Sequence, residues 1–383
     1  KINQPTELIP LTHDATTNQS SRALRRIDLN IKPYMQSDDR IATWQIISTI
    51  IPLIICCIAI GNLTNELTTA SLALDPALFI LIILFWSKSF SLMHDCGHHS
   101  LFRSKTANRI AAFLLSIVHA MPHHPWSRGH AFHHKHNGNW NRYRGPSALT
   151  TLREYKARSK SSQFIYQFLR HPLILIPGGF YYLVIKPRAA LLLGLIELMA
   201  NASADAFRKL SSGQTFNVSS FIGNHKSSFF YTKGEVYDTT ANSICVLLVW
   251  YWIGNTIGHW HFWILYSAIM SFSAAIMIAV FFIQHNFPES YASGDRDWSY
   301  FKGAIDGSSF LVMPRVLNWF TADIAYHHVH HLSERMPNYH LRMCHEYNED
   351  KFSSVKRLHL NQLWNCFSLI LWDDETYQLT SID

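Results

Sequence analysis

The chain has 383 residues, a formal net charge of +7 and 48% hydrophobic residues, which leaves room for one membrane body with a large polar cap or for two soluble domains. The positive charge does not point to nucleic acid: no Lys or Arg occurs between Arg40 and Lys88, or between Lys233 and Arg296. The basic residues flank apolar stretches instead of forming a groove for a polyanion, and an anionic membrane surface suits that distribution.

In chain order, residues 1–40 are polar, and residues 1–18 are expected to be poorly ordered. A membrane helix needs roughly 20 apolar residues to cross a core of about 30 Å. Residues 41–60 meet this without a charge, and 72–93 meet it with Asp75 near the start and Lys88 near the end. After a long polar interval, 241–257 and 264–284 supply two more spans, joined by the outer turn Gly258-His259-Trp260-His261. Two shorter apolar runs, 110–121 and 173–185, suit re-entrant or surface-lying helices. The 12 Trp and 16 Tyr fit a membrane–water boundary.

The outer connections 61–71 and 258–263 lack Lys and Arg. By the positive-inside rule the remaining segments are cytoplasmic, so two hairpins dip in from one side, with both termini and the middle segment 95–238 in the cytosol. Six cysteines without CxxC spacing fit a reduced, cytosol-facing protein. The expected fold class is an all-α integral membrane protein with four spans in two hairpins and a cytoplasmic helical cap. Its divisions are a tail at 1–40, a membrane body at 41–345 and a cytoplasmic segment at 346–383.

The 23 His include three clusters: His94-Asp-Cys-Gly-His98-His99, His130-Ala-Phe-His133-His134 and His327-His328-Val-His330-His331. Residues three and four apart share a helical face, so each cluster presents two or three imidazoles side by side. Neutral imidazole suits iron, copper, zinc or nickel, and eight such nitrogens are too many for one ion. His94 follows the second span and His285 the fourth, and an even number of crossings separates every pair of clusters, so all face one side. No Glu is followed three positions on by His, which excludes a ferritin-like carboxylate site, and no HExxH motif occurs. Asp95 and Asp323 adjoin clusters and are candidates to orient a ligand ring. His99, His136 and His328 are further candidates for a supporting place. His119, His123 and His124 are assigned to a Pro-containing loop, and His259 and His261 to the outer turn.

These boxes, in this order and with this hairpin placement, resemble the membrane fatty acid desaturase family. The stretch from Trp319 to Tyr339 is similar to the third-box region of bacterial acyl-lipid desaturases, and Arg170-His-Pro-Leu-Ile-Leu-Ile-Pro-Gly-Gly to a linker of the same subgroup. The resemblance implies two non-haem irons held by His94, His98, His130, His133, His134, His327, His330 and His331. His285 resembles an extra histidine found outside the boxes in that family. His136 leaves a second register, His133-His134-x-His136, open.

The resemblance further implies dioxygen as co-substrate, a membrane lipid acyl chain in an apolar tunnel and a cis double bond as product. A separate ferredoxin-like or cytochrome donor is expected, because Ile176-Pro-Gly-Gly lacks the histidine of a fused haem domain. The nearest alternative is a hydroxylase or oxygenase on the same scaffold. A non-catalytic metal transporter is the more remote one, since transport calls for ligands at the bilayer midplane.

Overall fold

The computed structural model describes residues 24–63 and 69–382. The expectation for residues 1–18 and part of the first outer connection lie outside them. Helices account for most of the described chain.

In the three most apolar of the long helices, apolar side chains face outward as well as inward. Helix α1 (Asp39–Leu63) packs along α2 (Thr69–Gly97) while leaving Ile47, Ile51, Ile54, Ile55 and Ile58 exposed on its outer surface. Helices α3 (Lys105–Val118) and α4 (His123–His136) follow. Ser104 caps α3 by accepting from Ala107 N. Short α5 (Leu152–Lys156) opens with a capping box between Thr151 and Glu154. Next come α6 (Lys160–Arg170), α7 (Leu175–Phe180) and α8 (Lys186–Ser211), the last two joined by a π-helical stretch at Tyr181–Ile185. The run 173–185 is therefore only the first part of a longer helical course, and α8 has no buried residue.

After α9 (Val218–Asn224), helices α10 (Lys233–Ile257) and α11 (His259–Ile283) meet at Gly258, whose φ of +88° a glycine adopts without strain. The turn is thus one residue long, and His259 and His261 sit in the first turn of α11. The cap is completed by α12 (Tyr300–Ile305), α13 (Arg315–Phe320), α14 (His327–Leu332), α15 (Asn338–Tyr347) and α16 (Leu363–Cys366).

Three described helices are long and apolar enough to cross a membrane: Asp39–Asn62, Leu74–Gly97 and His259–Ile283. Helix α10, which carries the expected span at 241–257, is less apolar, and its polarity is arranged inside out. Thr239, Asn242 and Ser243 are buried, whereas Ile244, Leu247, Leu248 and Trp252 are exposed. Asn242 donates to Ser116 Oγ at 3.0 Å and accepts from Arg188 at 2.6 Å, so the inward polar groups find partners.

Two short sheets tie the cap together. Strand β1 (Thr150–Thr151) runs parallel to β4 (Leu371–Asp373), which pairs antiparallel with β5 (Gln378–Thr380). Strand β2 (Phe310–Val312) runs parallel to β3 (Arg357–His359). Residues beyond 346, which carry no recognisable sequence signal, therefore hold β2 just ahead of the third histidine cluster.

Helices α1, α2, α10 and α11 all bring one end to the cap. At the start of α1, the Tyr339 hydroxyl accepts from Asp38 N at 2.7 Å and donates to the Leu101 carbonyl at 3.1 Å, and Asp39 accepts from Arg103 N at 2.9 Å. At the start of α10, Asp238 accepts from His124 N at 2.9 Å and Glu235 pairs with Arg128. The far ends of α2 and α11 carry His94 and His285.

Candidate metal centre

The last turn of α2 and the turn that continues it put His94 and His98 side by side, α4 adds His130, His133 and His134, and α14 adds His327, His330 and His331. His285 lies two residues beyond α11. These nine rings gather in two groups. His94, His98, His130, His134 and His330 form one, and His133, His285, His327 and His331 the other; within each, one ring nitrogen or its equivalent per residue lies within 4.8 Å of all the rest.

The nitrogens converge more closely than hydrogen bonding alone accounts for. His134 Nε2 is 3.1 Å from His130 Nε2 and 3.0 Å from His330 Nε2. His327 Nε2 is 2.9 Å from His285 Nε2 and 3.1 Å from His331 Nε2. A neutral ring nitrogen offers one in-plane site, either an N–H or a lone pair, so neither His134 nor His327 satisfies both neighbours. A cation shared by the lone pairs satisfies all of them.

Ring orientation supports the same reading. His285 Nδ1 lies 3.0 Å from the Gly307 carbonyl, where it donates, leaving Nε2 as a lone pair. His94 Nδ1 is 3.2 Å from Asp95 Oδ1. His98 Nδ1 is 3.4 Å from Glu334 Oε2, while its Nε2 is buried with no partner among the described residues. Burial first, then mutual repulsion, holds His130, His133, His134, His327, His330 and His331 well below the ordinary imidazole pKa. Burial brings His285 to about 4. Neutral rings are the form that binds metal. The donor set thus fits two cations with imidazole preference and little anionic charge.

The supporting residues named from the sequence fare differently. Asp95 touches His94 and also accepts from Asn338 N at 2.7 Å and Nδ2 at 2.8 Å. His99 ends α2 in the left-handed region with φ of +56°, and its ring is exposed and apart from both groups. His136 is buried outside the groups, against Phe132 and within 6.5 Å of the Trp298 ring. His328 turns away and lies 2.9 Å from His345 Nδ1. Asp323 occupies a turn with φ of +54° and contacts no histidine ring of either group. His119, assigned to a loop, caps α3 and is buried, with Nε2 2.9 Å from Ser89 Oγ.

Three partners were not anticipated: Glu334, the Gly307 carbonyl, and Trp126, which stacks on His130 at 5.0 Å and 11°. Glu334 stands three residues after His331, a spacing that the sequence displays. A backbone carbonyl leaves no such trace.

A cavity of about 610 Å³ runs beside both groups, with His130 of one and His133 and His285 of the other on its wall. Its floor is α11: Ser273, Met277, Phe281 and His285 recur at four-residue steps, so the lined face extends about 18 Å at 1.5 Å per residue. Apolar and aromatic side chains, including Trp86, Phe90 and Phe282, form most of the remainder.

Comparison with known proteins supplies an independent finding. The family model described as fatty acid desaturase matches residues 71–363. A fatty acid desaturase of Bacillus subtilis (strain 168) is 28% identical over 359 residues, covering 93% of this chain and 90% of the relative. The chloroplastic sn-2 acyl-lipid omega-3 desaturase (ferredoxin) of Helianthus annuus is 25% identical over 72% of this chain and 58% of its own length. The sn-1 oleoyl-lipid 12-desaturase of Synechocystis sp. is 21% identical over 67% and 63% respectively. The chain thus spans about 60% of the length of the latter two relatives.

Proposed function

We propose, from the premise that this chain belongs to the fatty acid desaturase family, that it is a di-iron enzyme that dehydrogenates a membrane lipid acyl chain to a cis double bond at the expense of dioxygen. An oxidoreductase acting on fatty acids is what the family and its relatives establish. The observation that carries the finer reading is the convergence of nine imidazoles, seven of them on buried residues and two on half-buried ones, into two groups beside one apolar cavity.

In this reading His94, His98, His130, His134 and His330 hold one iron, and His133, His285, His327 and His331 the other. Bound iron with dioxygen supplies the oxidising power that an unactivated methylene requires, since such a carbon has no acidic proton for a general base to take. Asp95, the Gly307 carbonyl and Glu334 orient the rings of His94, His285 and His98. The cavity wall excludes water and confines the chain along the α11 face, so that one carbon pair is held next to both groups. Trp126 and Phe281 flank the His130 ring and fix its plane.

Four helices in two hairpins form the membrane body in this proposal. Its support is the meeting of α1, α2, α10 and α11 at one cap and the lack of Lys and Arg at the opposite connections. The cap, both histidine-bearing helix ends and the flanking segments 1–40 and 346–383 then face the cytoplasm, with residues 41–345 as the catalytic body. Electrons come from a separate donor of ferredoxin or cytochrome type. The word ferredoxin in the name of the Helianthus relative and the basic cytoplasmic segments favour an acidic small redox protein.

Expression of the chain in a host with saturated lipids, followed by mass spectrometric location of new double bonds, tests the proposal. Alkene-containing acyl chains are expected. Hydroxylated chains without an alkene overturn it in favour of an oxygenase, and metal flux without dioxygen consumption overturns it in favour of a transporter.

A further inference from the structure

Among the described residues that line the cavity, Arg170 is the only one with a fixed charge. His119, the lining histidine that belongs to neither group, is neutral: burial pulls it to about 3, and Ser89 partners it. Arg170 ends α6, a helix anchored in the cap through Tyr166, which accepts from Thr150 N and donates to the Ile370 carbonyl. Arg170 donates from Nη2 to the carbonyls of Ser147, itself on the wall, and of Ala148, at 2.8 and 3.0 Å. Tyr143, also on the wall, has its ring 5.0 Å from that of His133.

The guanidinium is held but not neutralised. Its carbon lies 3.6 Å from the Tyr166 ring centroid, and Arg158 approaches the same ring at 5.0 Å. No carboxylate pairs with Arg170 among the described residues, and its Nε is buried without a partner. Two carbonyls occupy only one of its nitrogens, so they do not account for the whole group. Arginine remains charged in proteins and is matched to bidentate recognition of oxyanions. A half-buried, uncompensated cation beside an apolar acyl channel lacks a counter-ion that the substrate itself can bring.

We propose that Arg170 binds the phosphate of the acyl carrier, so that the substrate enters with its phosphate-bearing head at the Arg170 end and its hydrocarbon tail directed along α11 toward Ser273. The inference rests on the acyl-chain reading of the cavity given above. The phosphate belongs either to a glycerophospholipid, where it lies a few bonds from the ester, or to a thioester carrier, where a long arm separates it from the acyl group. The position of Arg170 at the cavity wall favours the former.

The full chain and its Arg170→Gln and Arg170→Lys variants are to be expressed in a host that makes both saturated phospholipid and saturated phosphate-free glycolipid. After a short pulse of labelled saturated fatty acid, double bonds are counted in the thioester, phospholipid and glycolipid fractions. For Arg170→Gln the ratio of unsaturated phospholipid to unsaturated glycolipid is expected to fall about tenfold, the loss typical of one charge-assisted contact. Arg170→Lys, which keeps the charge and the fold, is expected to fall between Gln and wild type. First appearance of label in unsaturated thioester, lowered by Arg170→Gln, identifies the carrier phosphate as the source. Equal loss in phospholipid and glycolipid, or an unchanged ratio in both variants, overturns the assignment. Absence of any double bond with the wild-type chain overturns instead the desaturase reading on which it stands.

Discussion

One carboxylate oxygen of Asp95 lies 3.2 Å from Nδ1 of His94, while its other oxygen accepts two hydrogen bonds from Asn338. Asp95 therefore couples the first histidine cluster to the segment just after the third, and both residues are buried. Removing the negative charge while keeping the shape isolates this role. Asp95→Asn is expected to weaken iron retention about tenfold to a hundredfold, the usual cost of losing such a partner, with membrane insertion unchanged. Iron content after dialysis against a competing chelator measures it, and wild-type retention refutes the orienting role.

Each of His98, His133 and His330 is expected to be indispensable for product formation. His98→Ala, His133→Ala and His330→Ala should yield no unsaturated lipid while the protein still reaches the membrane fraction. Chelation of the wild type should do the same and be reversed by ferrous iron. Full activity in any one of these variants removes that residue from the ligand set.

The pair Gly178 and Gly179 separates packing from cavity volume. A Cβ on Gly179 would stand 2.6 Å from the Ala274 Cβ, whereas one on Gly178 meets nothing within 4 Å, although both residues line the cavity. Gly179→Val is expected to push α7 off α11 and lower stability by about 1–3 kcal/mol, as overpacking does. Gly178→Leu should leave thermal stability unchanged and depress conversion of the longest acyl chains. Melting in detergent and chain-length profiles distinguish the two.

Glu154 gives an acid-sensitive signature remote from the metal groups. Hydrogen bonds from Thr150, then from Arg144 and Thr151 N, lower its pKa to about 2 from an ordinary 4.5. A depressed carboxylate contributes stability that is full above 4.5 and disappears as pH falls toward 2. The wild type should therefore lose resistance to proteolysis at β1 more steeply across pH 4.5 to 2 than Glu154→Gln. Parallel pH profiles for the two proteins contradict the assignment. Because the carboxylate is nearly half exposed, the difference is expected to be small.

The histidine groups were legible because helical spacing is a local property. Positions 327, 330 and 331 share a face by the same arithmetic that turns 328 away from it, and the structure pairs His328 with His345 accordingly. His99, expected only in a supporting place, serves instead to end the helix: Ser100 N bonds to Asp95 O at 3.1 Å around its left-handed backbone. Helix α8 was not anticipated, because Lys186, Arg188 and Glu197 interrupt the apolar run that would have marked it. The run 241–257 does lie in a helix, α10, but that helix is not among the three apolar enough to cross a membrane, and its inward polar residues could be recognised as satisfied only once Ser116 and Arg188 were beside them. The sheets were not legible, since their strands are only two or three residues long and one pairing joins positions more than 200 apart, Thr150 with Leu371, and the cavity likewise depends on packing between distant segments.

Phe367 stands on the cavity wall and the strand β4 that follows it is paired with β1, whereas the final histidine of the two groups is His331. During synthesis the two histidine groups can therefore assemble while the channel beside them still has a gap. Closure of that gap waits for a stretch of chain that contributes no ligand at all, so lesions in 363–380 should spare metal loading and yet leave reactive chemistry open to water. Uncoupled consumption of dioxygen, not loss of iron, is the phenotype to look for there.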